Sequence, residues 1–415
     1  MKSLWNDDEA TLYQGELGQR VYTSRLLGRD TSLVLHGGGN TSVKLTEKNL
    51  FGESERLLYV KGSGADLEHI DANGFAPVRL EPLLKLAQLP ALSDPEMVNQ
   101  LRLNTVVANA PTPSVETILH AVLPHAYVDH THADAVLAVM LSRDGEARIR
   151  DIYGESVVIV PYVMPGFDLA RAVARVVDQA NRPRCTGMIL LQHGVFSFGG
   201  TARESYERMI DLVTRAEDYL AKHGAWNVAP PSLTPGPAPR RQALAQLRQA
   251  VSSLAGVPLI LAAHTDPRSL AYVRREDLHR LSQQGPATPD HVIRTKRLPL
   301  IGQDLAGYAE SYEKYFAAYA PQAKEPKAML DPAPRVILDP ELGVCTLGKS
   351  AKDAAIVFDI YSHTIDIQLR AGKLGGYQAL SPKDLFDMEY WDLEQAKLKK
   401  GGKPAVFAGE VALVT

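Results

Sequence analysis

His130-Thr131-His132 closes the apolar run Ala126-Tyr127-Val128-Asp129. Side chains two positions apart on a strand share a face, so both imidazoles can converge on one point, as two ligands of a divalent metal must. Upstream, Pro113-Ser114-Val115-Glu116-Thr117-Ile118-Leu119-His120 places a carboxylate in the first turn of an expected helix. Downstream, Met188-Ile189-Leu190-Leu191-Gln192-His193-Gly194 delivers His193 at the end of a second apolar strand. Three histidines plus a carboxylate, each at the end of a regular element, is the ligand set of a zinc-type Lewis acid with an exchangeable position. Alone, the His-x-His reads equally as two partly exposed histidines, and Glu116 as a helix-start carboxylate stabilised by the macrodipole. The joint occurrence of Glu116, His130, His132 and His193 selects metal. Glu116 is then the ligand a substrate could displace and reuse as a base. His120, one turn later on the same helix face, reads as a supporting or packing residue rather than a ligand.

Gly37-Gly38-Gly39-Asn40-Thr41-Ser42 reads as an anion cradle, in which glycines let backbone N–H groups approach phosphate oxygens and Asn, Ser and Thr add donors. The plainer alternative is a tight turn between strands. Gly62-Ser63-Gly64 repeats the pattern after another strand, and Ser114 precedes the Glu116 helix, where N–H groups are unpaired. Together these loops could bind a phosphate monoester without a lysine. Lys61 fits a solvated strand end.

The elements that must position these residues alternate. Leu33 to His36, Thr41 to Leu45, Leu57 to Lys61 and Val157 to Val160 read as strands, and Phe167 to Ala180 has helical periodicity. Ala202 to His223 reads as an amphipathic helix with Ile210, Val213, Ala216 and Leu220 on one stripe. Pro-rich residues 229–240 mark a linker between a first domain, 1–228, and a second α/β domain, 241–400. There, Val257 to Leu261 and Arg335 to Leu338 read as strands and Ser350 to Ala371 as a helix.

Composition excludes several classes. The 415 residues are 45% hydrophobic and 22% charged, ordinary for a globular protein. A net charge of −3 gives no reason to expect nucleic acid or an anionic membrane as partner. Cys185 and Cys345 are too few for a disulfide framework and suit a reducing cytoplasm. The acidic N-terminus lacks an apolar signal core, and no apolar run reaches membrane-span length.

Gly-Asn-Thr-Ser, the Ser-Gly loop, Pro-Ser-x-Glu, His-x-His and the late Gln-His-Gly, in that order over roughly residues 30–220, resemble the class II aldolase/adducin family. That family includes fuculose-1-phosphate and rhamnulose-1-phosphate aldolases and ribulose-5-phosphate epimerase. By that resemblance Glu116 matches the catalytic carboxylate, His130, His132 and His193 the zinc ligands, and Gly39, Asn40, Ser63, Gly64 and Ser114 the phosphate loops. Family enzymes often take a proton-donating tyrosine from a neighbouring subunit, and Tyr153 matches it by position only. Residues 284–296 and 386–396 resemble the aldolase portion of long bifunctional rhamnulose-1-phosphate aldolase/alcohol dehydrogenases. Residues 401–415 resemble the first strand of the dehydrogenase part, without the glycine loop that binds pyrophosphate, so no NAD is expected on this chain. His291, Arg294 and Lys296 read as a solvated basic loop, with an anion site as the alternative.

The resemblance implies an αβα three-layer domain around a mostly antiparallel sheet, followed by a smaller α/β domain. It also implies a homo-oligomer in the cytoplasm, with a dehydrogenase module encoded downstream as a possible partner. The implied reaction is zinc-dependent cleavage of a ketose 1-phosphate, rhamnulose 1-phosphate foremost, into dihydroxyacetone phosphate and an aldehyde such as lactaldehyde. The alternatives are a sugar-phosphate 4-epimerase or dehydratase, or a non-catalytic adducin-like scaffold.

Overall fold

Apolar alternation over the first 200 residues resolves into one seven-stranded sheet. The computed structural model describes residues 1–228, 241–398 and 406–412. One compact unit comprises Met1–Met140 and Asp144–His223, and a second comprises Leu141–Arg143 and Gly224–Thr415. The first unit holds β1 (Asn40–Lys48), β2 (Ser54–Lys61), β3 (Phe75–Arg79), β4 (Tyr127–Thr131), β5 (Val157–Val160), β6 (Gly187–Leu190) and β7 (Gly194–Gly199). Their order across the sheet is β3-β2-β1-β4-β7-β6-β5. Only the β5–β6 pair is parallel, so the sheet is mostly antiparallel.

Helices cover both faces. They are α1 (Gly15–Gly28), α2 (Leu80–Leu86), α3 (Thr117–Val122), α4 (Asp134–Met140), α5 (Gly145–Tyr153), α6 (Phe167–Ala174) and α7 (Ala202–Lys222). The first, fourth and fifth gather around α7, which lies against β4 and β7, whereas α2 and α6 gather around α3 beside β2. The pleat of β4 follows this division. Asp129 and Thr131 meet Ser205 and Met209 of α7, while His130 between them faces Glu116 at the start of α3. Thr201 caps α7, its Oγ1 accepting from Glu204 N (3.1 Å), and Glu204 Oε2 accepts from Gly200 N (2.7 Å) just before the cap. Its Ile210, Val213, Ala216 and Leu220 stripe is buried.

The apolar run at Leu33 to His36 is not a strand. Leu33 and Val34 are buried in a turn, and His36 and Gly37 have φ of 39° and 83°. Apolar character here reflects burial rather than ladder pairing, which period alone does not distinguish. The Leu33 carbonyl accepts from His132 N (3.0 Å), so this turn fixes the chain just past β4.

In the second unit, β8 (Ile260–His264), β9 (Leu300–Ile301), β10 (Val336–Asp339) and β11 (Gly343–Gly348) form a sheet ordered β8-β11-β10-β9. The first of these begins three residues later than the sequence suggests, after Pro258, which has no N–H for a ladder. Val336 and Leu338 pack with Val357, Tyr361 and Ile365 of one helix (Ala351–Lys373), and the intervening Ile337 packs with Leu247 and Val251 of another (Arg241–Ala255). The expected linker, 229–240, lies outside the described residues, as do 399–405 and 413–415. Of the expected tail strand, residues 406–409 form a turn and 410–412 are not in a strand. No helix among the described residues is long and apolar enough to cross a membrane.

Candidate metal centre

Strand register assembles the first part of the site. Asn40 of β1 pairs with His130 of β4, which pairs with Phe196 of β7. His132 follows β4 directly, and His193 sits in the turn between β6 and β7, after Gln192 at φ 58°. Two glycines make the approach possible. A Cβ on Gly194 would lie 2.5 Å from the Thr131 carbonyl oxygen and 2.8 Å from His130 Cε1. One on Gly39, at φ 62°, would lie 2.6 Å from the His130 carbonyl oxygen. Any side chain at either place would push the histidine strand away.

One nitrogen from each of His130, His132 and His193 lies within 4.8 Å of the other two, and all three residues are buried. His132 Nε2 is 3.1 Å from His130 Nε2. Glu116 Oε2 is 3.7 Å from His130 Nε2, and its Oε1 is 3.6 Å from His193 Nε2. Four tetrahedral ligands about 2.0–2.1 Å from a zinc ion sit roughly 3.3–3.4 Å from one another. The spacing therefore fits a divalent cation at the centre. Tautomers agree. His130 Nδ1 is 3.1 Å from the Val195 carbonyl, which only accepts, so Nδ1 carries the proton and Nε2 presents a lone pair inward. Glu116 Oε1 is buried and accepts no hydrogen bond.

Burial opposes a charge on Glu116, but His130, His193 and the Asn40 amide outweigh it and hold the carboxyl down to about 2. Asn40 Nδ2 donates to Glu116 Oε2 (2.6 Å) and Ser114 Oγ (3.1 Å), while Asn40 Oδ1 meets His120 Nε2. His120 Nδ1 pairs with Ser42 Oγ at 2.8 Å. Lys44 Nζ donates to the His120 and His125 carbonyls, tying α3 to β1. On the opposite face of the sheet, the fully buried Asp129 forms an ion pair with Arg20 and accepts from Ser205.

The glycine loops are stitched together beside this centre. Gly62 bridges Pro113, Ser63 N donates to the Thr112 carbonyl (2.8 Å), and Ser114 N donates to the Lys61 carbonyl (3.2 Å). Lys61 is not solvated. Only 1% exposed, its ammonium donates to the Gly37 and Ala65 carbonyls at 3.2 and 2.6 Å. Gly39, Asn40, Ser63, Gly64 and Ser114 thus fall in connected segments. The Asn40 side chain, however, is engaged at both ends within the protein and does not present a free donor for phosphate.

Tyr153 is a correction. Its hydroxyl donates to the Leu212 carbonyl (2.7 Å), and the residue is 2% exposed, so it cannot hand a proton to a neighbouring subunit. Sequence position suggested a role that burial forbids. The basic loop of the second unit is also not solvated: His291 and Lys296 are buried. Ser42, expected as a donor of the anion cradle, instead pairs with His120, and strand parity places it on the Asn40 face. The sequence reading missed Arg20, for which a mid-helix arginine gives no local signal.

Residues 19–220 match the Class II Aldolase and Adducin N-terminal domain, and residues 238–398 match Aldolase class II, second domain. A Bacillus subtilis (strain 168) protein called uncharacterized oxidoreductase YuxG is 34% identical over 442 residues, covering 100% of this chain. This chain spans 63% of that relative's length. Among solved structures, the N-terminal class II aldolase domain of a conserved Thermoplasma acidophilum protein is 40% identical, with a TM-score of 0.49, over 53% of this chain and 99% of that one. L-fuculose-1-phosphate aldolase from Thermus thermophilus is 19% identical, with a TM-score of 0.32, over 51% of this chain and 98% of that one. With domain matches on both sides of residues 221–237 and a buried histidine centre in the first, the chain belongs to the class II aldolase and adducin family.

Proposed function

We propose that this chain is a zinc-dependent aldolase that reversibly cleaves a ketose 1-phosphate into dihydroxyacetone phosphate and an aldehyde. Rhamnulose 1-phosphate, yielding lactaldehyde, is the first substrate to test. The observation that carries the reading is the convergence of the His130, His132 and His193 nitrogens with Glu116 at metal-ligand spacing. The three histidines and, at rest, Glu116 hold the ion. Bound there, zinc supplies the Lewis acidity that polarises the substrate carbonyl, worth several kcal/mol of barrier.

Glu116 then moves the proton at the reacting carbon, its Oε1 having no hydrogen bond to break. Backbone N–H groups around Gly39 and Gly64, with the buried Lys61 ammonium beneath them, bind the phosphate. Asn40 and Ser114 serve Glu116 in this scheme. Phosphate binding remote from the bond that breaks holds the carbon skeleton in place. The oxidoreductase in the name of the Bacillus subtilis relative describes that longer protein.

The test is release of dihydroxyacetone phosphate from rhamnulose 1-phosphate by zinc-loaded wild type and by His132→Ala. Release by the wild type alone is expected. Conversion of a sugar phosphate to its 4-epimer without release of fragments favours the epimerase. Zinc binding without turnover on any sugar phosphate favours the adducin-like scaffold.

A further inference from the structure

The mechanism above leaves one buried ionisable group beside the centre without a task. His120 is 0% exposed and is not placed among the metal-binding histidines. Its two nitrogens nevertheless join two residues of the site, Ser42 and Asn40. The chain of donors can be assigned by elimination. Asn40 must turn its NH2 toward Glu116 Oε2 and Ser114 Oγ, because the flipped amide would set its oxygen 2.6 Å from a carboxylate oxygen, two acceptors with no proton between them. Asn40 Oδ1 then faces His120 Nε2, which must carry a proton. Nδ1 is left as an acceptor, and the Ser42 hydroxyl, 2.8 Å away, supplies the donor. Every atom in the run Ser42–His120–Asn40–Glu116 has one consistent role.

Resting on the metal reading above, we propose that His120 is a positioning residue: its Nε2–H locks the Asn40 amide so that both amide protons stay on Glu116 and Ser114, aiming the carboxylate at the histidine nitrogens. If the Nε2 donor is lost, the amide is free to rotate, and Glu116 loses the hydrogen bond that orients Oε2. Metal affinity falls because one ligand must be ordered at the moment of binding. Partners that orient metal ligands are typically worth about 10–100-fold in affinity. The chemistry, not the volume, of residue 120 is what counts.

Two measurements test this. In metal-free wild type labelled with 15N-histidine, the His120 resonances should show the Nε2–H tautomer. An Nδ1–H tautomer would overturn the proposal without any variant. Zinc affinity, measured by chelator competition, should fall about 10–100-fold in His120→Leu. In His120→Gln, whose amide NH2 takes the place of Nε2–H, most of the loss should be recovered. Gln no better than Leu overturns the proposal, because packing alone would then explain the effect, and so does His120→Leu equal to wild type. If His120→Leu does not fold, the tautomer in the wild type decides. A wild type that binds no zinc would instead overturn the metal reading itself.

Discussion

In the second unit, Lys296 Nζ donates to the Tyr312 hydroxyl (3.0 Å) and the Asp331 carbonyl (2.7 Å), 3.7 Å from Glu389 Oε1. Tyr312 donates to Glu389 at 2.8 Å and shares a hydrogen bond with Tyr390. Burial pushes the Lys296 ammonium down and the Glu389 carboxyl up, and each opposes the effect on the other. A cation and an anion thus compensate each other inside the cluster. In the first unit, by contrast, three imidazoles and a carboxylate converge at metal-ligand spacing, and the inner carboxylate oxygen accepts no hydrogen bond. The comparison teaches that burial of polar groups alone does not mark a functional centre, whereas a convergence of metal-ligating groups on one point does.

The contrast can be broken most forcefully at Lys296. Lys296→Met leaves Glu389 buried without its cation and should cost about 3–5 kcal/mol. Lys296→Met with Glu389→Leu should recover most of that. A single-variant loss below about 1 kcal/mol in urea unfolding would show that the second cluster is not held by its ion pair.

The next effect belongs to the first unit. Zinc at 100 times its dissociation constant should stabilise wild type by about 2.7 kcal/mol and leave His132→Ala unmoved. Equal stabilisation of both proteins would place the ion elsewhere.

The smallest effect concerns pH. Burial, outweighing the attraction of Glu116, pushes the His120 imidazole from 6.5 down to about 3. Between these values the unfolded chain binds a proton that the folded chain refuses. His120 therefore disfavours the folded state as pH falls through that window: the penalty is absent above 6.5 and reaches its full size below about 3. The slope from this residue is at most about 1.4 kcal/mol per pH unit. Metal-free His120→Gln should unfold with a shallower pH dependence than wild type between pH 4 and 6. Identical slopes would mean that His120 is not held neutral.

Much of the centre was legible because it obeys strand parity and element ends. His130 and His132 share a face of β4, Glu116 caps α3, and His193 follows an apolar strand, all local patterns. What was not legible depends on contacts distant in sequence. Tyr153 lies near the expected position in the chain, but its hydroxyl is taken by a carbonyl 59 residues away. Lys61 looked solvated because a strand-end lysine usually is, yet two loops close over it. Asn40 looked like a phosphate donor until Glu116 and His120, 76 and 80 residues on, claimed both ends of its amide. The Leu33 to His36 run was misread for the converse reason: its apolar residues are buried by packing rather than paired in a ladder.

The central claim is that His130, His132, His193 and Glu116 hold a cation. Elemental analysis of purified wild type and His132→Ala, with X-ray absorption at the metal edge, tests it most directly. The account predicts about one zinc per chain in wild type, with nitrogen and oxygen neighbours at about 2.0–2.1 Å, and none in the variant. A wild type that stays metal-free when zinc is supplied would contradict it.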